Sequence, residues 1–423
     1  VGPAFLVART NIANSVDLIK ILDGKGGEMP HYKYLIVGGG MTADAAVNGI
    51  READREGSIG LISAEQNAPY NRPPLSKGLW KGDKPDSIWR GTEKQSVALH
   101  LGRKAQSLDT PKKSVADDQG DVYTFEKLLL STGATPRRLP FDDGSIIYYR
   151  TVEDYRHLHA LTGQGRRFAV IGGGFIGWEM AAALAMNGKE VVMLFPGEAI
   201  GDHFYPIDLA RFLNDSYRQK GVNVVPRSTV VGLEKTARGT QVKTQAQGEF
   251  LVDGVVAGIG VTPNVELAQS ASLKVDNGIV VDEFLRTSAP DVYAAGDVAN
   301  FHNPALGKRL RVEHEDNANT MGREAGRAMA GEANPYHHLP FFYSDLFDLG
   351  YEAIGELDPR LETLEDWKEP YREGVVYYLR DARVRGVLLW NVWGQVDAAR
   401  QLIAEPGPFR TADLKGWLPK AAG

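Results

Sequence analysis

Two glycine triplets carry the strongest chemical signal in this sequence. Gly38-Gly39-Gly40 follows the apolar run Tyr34 to Val37, and Gly172-Gly173-Gly174 follows Phe168 to Ile171. A glycine turn between a strand and a helix lets backbone N–H groups reach a pyrophosphate, and a third small residue lets the helix pack on the strand. Gly38, Gly40 and Ala43 fill those three positions in the first copy; Gly172, Gly174 and Gly177 fill them in the second. One such turn is often only a turn; two, each flanked by strand and helix, point to two dinucleotide sites. An acid at the end of the second strand should hold a ribose. Glu65 takes that place in the first copy, against the plainer reading of a solvated strand-end carboxylate. In the second copy the strand runs into Phe195-Pro196-Gly197-Glu198, so the acid comes one residue late. No Arg or Lys adjoins Glu198 to greet a 2′-phosphate, which leans towards NADH over NADPH.

Other candidates are single residues. Lys77 closes the string Pro69-Tyr70-Asn71-Arg72-Pro73-Pro74-Leu75-Ser76-Lys77. A lysine paired with a carboxylate can hold charge where hydride arrives at a flavin, and Glu179 is placed to be that partner. Equally, the two are a surface lysine and a carboxylate stabilising a helix start. Asp297, just after Val292 to Gly296, either accepts a hydrogen bond from a polyol such as ribitol or caps a helix. His314 lies in a polar cluster before a helix, where such a cluster is usually a cap. The neighbours His337 and His338 share no face of a helix or a strand, so no metal site is expected.

The composition narrows the class. The chain has 423 residues, 43% hydrophobic and 24% charged, and suits two or three soluble domains. A formal net charge of −6 argues against nucleic-acid binding. There is no cysteine, so disulfides, thiolate metal sites and a redox dithiol are excluded. Electrons accepted by a flavin would have to leave directly, to a one-electron carrier, a quinone or oxygen. The longest apolar stretch, Phe168 to Met186, contains three glycines and Glu179, and reads as strand, turn and helix instead of a membrane span. Residues 1–28 show neither a signal nor a transit pattern and are expected to be an arm or a vector-derived segment before Met29. A cytoplasmic location is the default, or mitochondrial matrix or intermembrane space in a eukaryote.

The elements that must position these residues repeat. Each glycine turn opens a βαβ unit, and a second landmark follows each. Leu128 to Arg137 (LLLSTGATPR) reappears in outline as Val255 to Asn264 (VVAGIGVTPN). Gly38 and Gly172 are 134 residues apart, and Gly133 and Gly260 are 127 apart. The expected fold is α/β: two tandem Rossmann-like dinucleotide-binding domains plus a C-terminal α+β domain. The expected boundaries are 29–147 with 272–338 for the first dinucleotide-binding domain, 148–271 for the second, and 339–423 for the C-terminal domain.

The chain resembles the ferredoxin- and rubredoxin-reductase type of flavoprotein, on the apoptosis-inducing-factor-like side. The resemblance spans about Tyr34 to Ile403. It rests on Arg72 to Lys77 (RPPLSK), Gly172 to Glu179 (GGGFIGWE), Ala295-Gly296-Asp297 and Val312-Glu313-His314. In the cap it rests on Ser344-Asp345, Gly350 to Gly355 (GYEAIG), Tyr378-Leu379-Arg380 and Leu389-Trp390-Asn391. It implies FAD for the first dinucleotide-binding domain and NAD(P) for the second. It implies FAD contacts at Gly38, Gly39, Gly40, Met41, Thr42, Glu65, Arg72, Lys77, Arg156, Asp297, His314 and Tyr343, with Ala105 near the adenine. It implies NAD contacts at Gly173, Gly174, Phe175, Ile176, Gly260, Glu313, His314, Glu352 and Asn391, with Glu198 in place of the missing ribose acid. Lys77 and Glu179 would pair beside the flavin, with His314 and Tyr343 completing the reacting site. Relatives commonly carry Trp where Tyr343 stands, and Leu361 to Glu373 is too short to hold the long insertion of the animal proteins' cap.

The expected function is FAD-dependent oxidation of NAD(P)H, NADH favoured, with electrons passing to a [2Fe-2S] ferredoxin or rubredoxin, a quinone or oxygen. The alternative is a slow NADH oxidase of the apoptosis-inducing-factor kind that serves as a redox-responsive, dimerising interaction protein. A monodehydroascorbate-type reductase is a weaker third reading. Monomer and homodimer are both compatible with the sequence.

Overall fold

The computed structural model describes residues 29–418, so the expectation for residues 1–28 lies outside the described residues. The first sheet begins with β1 (His31–Val37), β2 (Ile59–Ser63) and β3 (Val97–Leu101), which are parallel. It continues through β4 (Ala105–Asp109), β5 (Ser114–Asp117) and β6 (Val122–Leu130), in the order β3-β2-β1-β6-β5-β4. Leu35, Ile36, Leu128, Leu129 and Leu130 are wholly buried, as strands covered on both faces require. Much later in the chain, Val292–Ala294 returns to lie parallel to β6. The helix α1 (Met41–Ala53) leaves the first glycine turn and packs on Glu315–Met329 at backbone distance. A Cβ at Gly322 would stand 2.4 Å from the Thr42 carbonyl, and one at Gly326 2.1 Å from that of Ala46, so this crossing admits only glycine.

The second sheet repeats the plan. After the short strand β7 (Ala134–Pro136) come β8 (Ile146–Tyr148), helix α2 (Val152–Thr162), β9 (Arg167–Ile171), α3 (Phe175–Met186), β10 (Glu190–Leu194), α4 (Ile207–Gln219) and β11 (Val222–Val225). A three-stranded meander, β12 (Val230–Thr236), β13 (Gly239–Thr244) and β14 (Glu249–Val252), precedes β15 (Gly254–Ala257). The sheet order is β11-β10-β9-β15-β8, parallel throughout. The apolar stretch 168–186 is thus strand, turn and helix, and no described helix is long and apolar enough to cross a membrane.

The two repeated landmarks meet. Strand β16 (Val261–Pro263) pairs antiparallel with β7, placing Thr262 opposite Thr135. The Asn264 amide donates to the Thr132 carbonyl at 2.8 Å, and the Thr132 hydroxyl donates to the Asn264 carbonyl at 2.7 Å. The near-duplicate segments therefore join the halves by pairing with each other.

The chain then runs through α5 (Glu266–Ser270), β17 (Ile279–Val280), β18 (Val292–Ala294), β19 (Ala299–Asn303), β20 (Lys308–Leu310) and α6 (Glu315–Met329). Five antiparallel strands follow: β21 (Phe341–Leu346), β22 (Leu349–Gly355), β23 (Glu362–Glu369), β24 (Glu373–Arg380) and β25 (Arg383–Trp390). Helices α7 (Val396–Ala404) and α8 (Thr411–Leu414) close the described chain. This last sheet shares a core with the second: Tyr351 stacks on Trp390 at 5.9 Å, Tyr205 meets both rings edge-on, and buried Trp178 donates to the Ser344 hydroxyl at 2.9 Å.

Candidate functional site

Both glycine turns open into one cleft of about 1410 Å³, above the range of about 300–1,000 Å³ usual for a single small ligand. Gly38, Gly39, Gly40, Met41 and Thr42 line one end; Gly172, Gly173, Gly174, Phe175 and Ile176 line the other. Gly38 and Gly172 hold φ of +124° and +121°, and a Cβ on either would fall within about 2.2 Å of a neighbouring carbonyl oxygen. Gly40 and Gly174 precede α1 and α3, and a Cβ at Gly174 would meet nothing within 4 Å. Backbone N–H groups at two helix N-termini thus face open space, a cradle that suits two pyrophosphates. The residues present fit a dinucleotide at each turn.

Between the turns the cleft floor is a buried polar knot. The Glu179 carboxylate, on α3, accepts from Lys77 Nζ at 2.7 Å, from Ser76 Oγ at 2.6 Å and from Ser344 Oγ at 2.6 Å. Its side chain is 4% exposed and that of Lys77 14%, so each charge depends on the other. The surface-lysine reading is therefore overturned. Ser76 and Ser344 went unassigned in the sequence reading, although both stand inside the strings that carried the resemblance. The Lys77 ammonium also lies 5.3 Å from the Tyr343 ring centre, and the Tyr343 hydroxyl donates to Glu315 at 2.9 Å. Burial first, and then Glu315, pushes the Tyr343 phenol well above its ordinary pKa.

His314 corrects the cap reading. It stands at the N-terminus of α6 but its side chain makes no capping hydrogen bond. Its ring stacks on Phe342 at 4.4 Å and meets the edge of Phe175. Burial drives its pKa down to about 4, although Asp297 and Asp316 pull the other way. The imidazole is therefore neutral at neutral pH.

At the first turn, the Glu65 carboxylate takes Arg72 Nη2 at 2.5 Å and the Tyr70 hydroxyl at 2.6 Å, and it lines the cleft. Asp297 also lines the cleft, paired at 2.8 Å with Arg150. Arg150, unnoticed in the sequence, occupies the cleft wall where Arg156 was expected. Arg156 lies on the outer face of α2, exposed, and pairs with Glu153 one turn back. Gly260 and Glu313 line the cleft as expected. Ala105, Gly177, Glu198, Glu352 and Asn391 are not brought to its wall. Ala105 pairs with Asp117 in the first sheet, and Gly177 abuts the Gly172 carbonyl, which suits helix packing. Glu352 accepts the Gly394 N–H, its carboxyl raised by burial, and the Asn391 side chain accepts the Gly350 N–H.

The second turn departs most from expectation. A Cβ at Gly197 would lie 2.6 Å from a carboxylate oxygen of Asp202, and Asp202 lines the cleft where Glu198 does not. That same oxygen accepts the Glu198 N–H at 2.7 Å. Glu198 is instead paired with Arg211 at 2.5 Å and Arg227 at 2.9 Å, which hold its carboxyl below the usual range, Arg211 more strongly. The sequence expectation that no base adjoins Glu198 fails in space, because helix α4 and the turn after β11 both fold back onto it.

A family model described as pyridine nucleotide-disulphide oxidoreductase matches residues 32–322. The chain belongs to that family. The sequence itself contains no cysteine. A second model, for the C-terminal part of mitochondrion-associated apoptosis-inducing factor, matches residues 325–370 and 365–405. Apoptosis-inducing factor 1, mitochondrial, of Dictyostelium discoideum is 34% identical, over 89% of this chain and 79% of that protein. The ferredoxin–NAD(+) reductase component of the anthranilate 1,2-dioxygenase system of Burkholderia cepacia is 33% identical, over 90% and 97%. Among solved structures, the covalent putidaredoxin reductase–putidaredoxin complex superposes with a TM-score of 0.84 at 28% identity, covering 90% of this chain and 95% of that one. The resemblance read from the motifs is thus confirmed.

Proposed function

We propose that this flavoprotein reductase binds FAD at the first turn, takes hydride from a nicotinamide dinucleotide at the second, and passes electrons singly to a small [2Fe-2S] ferredoxin. The single observation that carries this reading is the Lys77–Glu179 pair buried in a cleft that both glycine turns enter. When bound, the flavin accepts two electrons as hydride and can release them one at a time. The chain's own residues bind and position. The first turn and Glu65 hold one dinucleotide, and Asp297 with Arg150 holds a polar chain between the turn and the cleft centre. Lys77 keeps a positive charge at the cleft floor, and Glu179, fixed by Ser76 and Ser344, keeps the ammonium in place. The neutral imidazole of His314, stacked on Phe342, walls the ring site without adding a charge to it. With the two turns fixed on a common frame, proximity and ring alignment supply most of the acceleration. A relative named as a ferredoxin–NAD(+) reductase and a structural neighbour joined to putidaredoxin support the choice of acceptor.

Anaerobic addition of NADH or NADPH to the holoprotein is expected to bleach the flavin absorbance within the mixing time of a stopped-flow experiment. Oxidised ferredoxin should then restore it faster than air does. Absorbance unmoved by either nucleotide would remove the reading. The match to the apoptosis-inducing-factor C-terminal model favours one alternative, a slow oxidase used as a redox-responsive, dimerising interaction protein. Slow reoxidation by every acceptor, together with an NADH-dependent doubling of mass, would select it.

A further inference from the structure

The second glycine turn ends in a charge arrangement unlike that of the first, and it bears on which dinucleotide is used. A strand-end carboxylate selects an unphosphorylated ribose by accepting its hydroxyls, whereas a guanidinium there accommodates a 2′-phosphate. Gly197 offers no side chain, and the Asp202 oxygen nearest to it is taken by the Glu198 N–H. The other Asp202 oxygen faces His203 at 3.5 Å. Glu198 is not among the residues that line the cleft and sits between two guanidiniums. Arg211 also has Asp208 at 3.4 Å. Arg227 has Glu198 as its sole ion-pair partner among the described residues, and its side chain is 70% exposed. Its backbone is held in place independently: the Arg227 N–H donates to the Gly197 carbonyl at 2.8 Å, with φ of +53°. The Arg227 backbone is thus anchored to Gly197, which lines the cleft, while its guanidinium lies exposed beside Glu198, the next residue, with most of its donors unspent.

We propose that this rim is a 2′-phosphate subsite in which Arg227, seconded by Arg211, receives the adenosine 2′-phosphate of NADPH. The inference rests on the reading of the second turn as a pyridine-nucleotide site and adds the nucleotide class. Phosphate matches the planar fork of arginine, and a dianion competes for it better than the monoanion Glu198.

The test is calorimetric binding of adenosine 2′,5′-bisphosphate and of 5′-AMP to the FAD-loaded protein. The bisphosphate is expected to bind about tenfold more tightly, as a charge-assisted contact at an exposed rim would give. Arg227→Ala keeps the backbone bond to Gly197 and should erase most of that ratio, Arg227→Lys should recover part of it, and Glu198→Gln should enlarge it. In turnover, Arg227→Ala should lower the NADPH-to-NADH ratio of kcat/KM by a similar factor, mainly through KM. A bisphosphate that binds no better than 5′-AMP, or a ratio unmoved by Arg227→Ala, overturns the subsite while leaving the pyridine-nucleotide site intact. Failure of both nucleotides to bind while NADH and NADPH leave the flavin unbleached would overturn the underlying reading as well.

Discussion

The two glycine turns are near copies in backbone and differ in what closes them. In both, a glycine with φ near +120° abuts a carbonyl, an open glycine starts a helix, and the next strand ends beside the cleft. At the first, Glu65 faces the cleft and is braced by Arg72 and Tyr70 from the same unit. At the second, the equivalent place is Gly197, and the nearby acid is clamped by Arg211 and Arg227 at the surface. The first also has Ser63 beside Gly39, whereas Phe195 stands beside Gly173. Duplication has kept the phosphate cradle, which needs only backbone, and has let the ribose end diverge, which depends on side chains.

Breaking each cradle separately should give the largest effects. Gly38→Ala forces a Cβ to 2.1 Å from the Ser131 carbonyl, so the purified protein should lose its flavin, read as the flavin-to-protein absorbance ratio. Gly172→Ala meets the Gly258 carbonyl at 2.2 Å; it should keep FAD but lose about 100-fold in kcat/KM for the nucleotide, because misplaced reactants forfeit that much. If both variants lost flavin equally, the division of labour between the turns would fall.

The residue that joins the halves comes next. Lys77→Ala is expected to slow anaerobic flavin reduction by about 10²-fold, the scale of losing one fixed positive donor, while FAD retention changes little. Equal losses in both measurements would make Lys77 a cofactor anchor only. Glu65→Gln tests the braced acid of the first turn: it should weaken FAD binding about tenfold, measured by flavin release on dilution, as loss of a charge-assisted bond does.

The smallest effect concerns pH. Because burial lowers the folded pKa of His314 to about 4, folding disfavours its protonated form. Its contribution to stability is full above the unfolded value near about 6.5 and is lost as pH falls towards the folded value. His314→Phe should therefore flatten the decline of Tm on acidification through that window. A wild-type Tm curve matching that of the variant would show that the imidazole is not held neutral.

Much of this was legible in the sequence because it is local. A triplet of glycines after an apolar run fixes strand, turn and helix within about twenty residues, and Glu65 follows at a set distance along the next strand. The pairing of β7 with β16 was foreshadowed by the repeated Thr-Pro landmarks, although nothing in their spacing said that they would touch. The Lys77–Glu179 pair bridges 102 residues, and spacing alone left it undecided; the family resemblance singled it out. The rim at Glu198 was misread for the same physical reason. Its two arginines come from a helix and a turn 13 and 29 residues further on, beyond the reach of adjacency in the sequence, and proximity created by folding has no local signature. Arg156 failed differently: it lies one turn into α2, where its side chain points outward, whereas Arg150 precedes the helix and projects into the cleft.

The claim on which the rest depends is that two backbone cradles set two ring systems face to face above Lys77. A crystal structure with FAD and a nicotinamide dinucleotide bound together tests it most directly. The expected result is one pyrophosphate at each glycine turn and the flavin and nicotinamide rings about 3–3.5 Å apart, the range from which hydride can transfer. An empty second turn, or rings lying at opposite ends of the cleft, would contradict it.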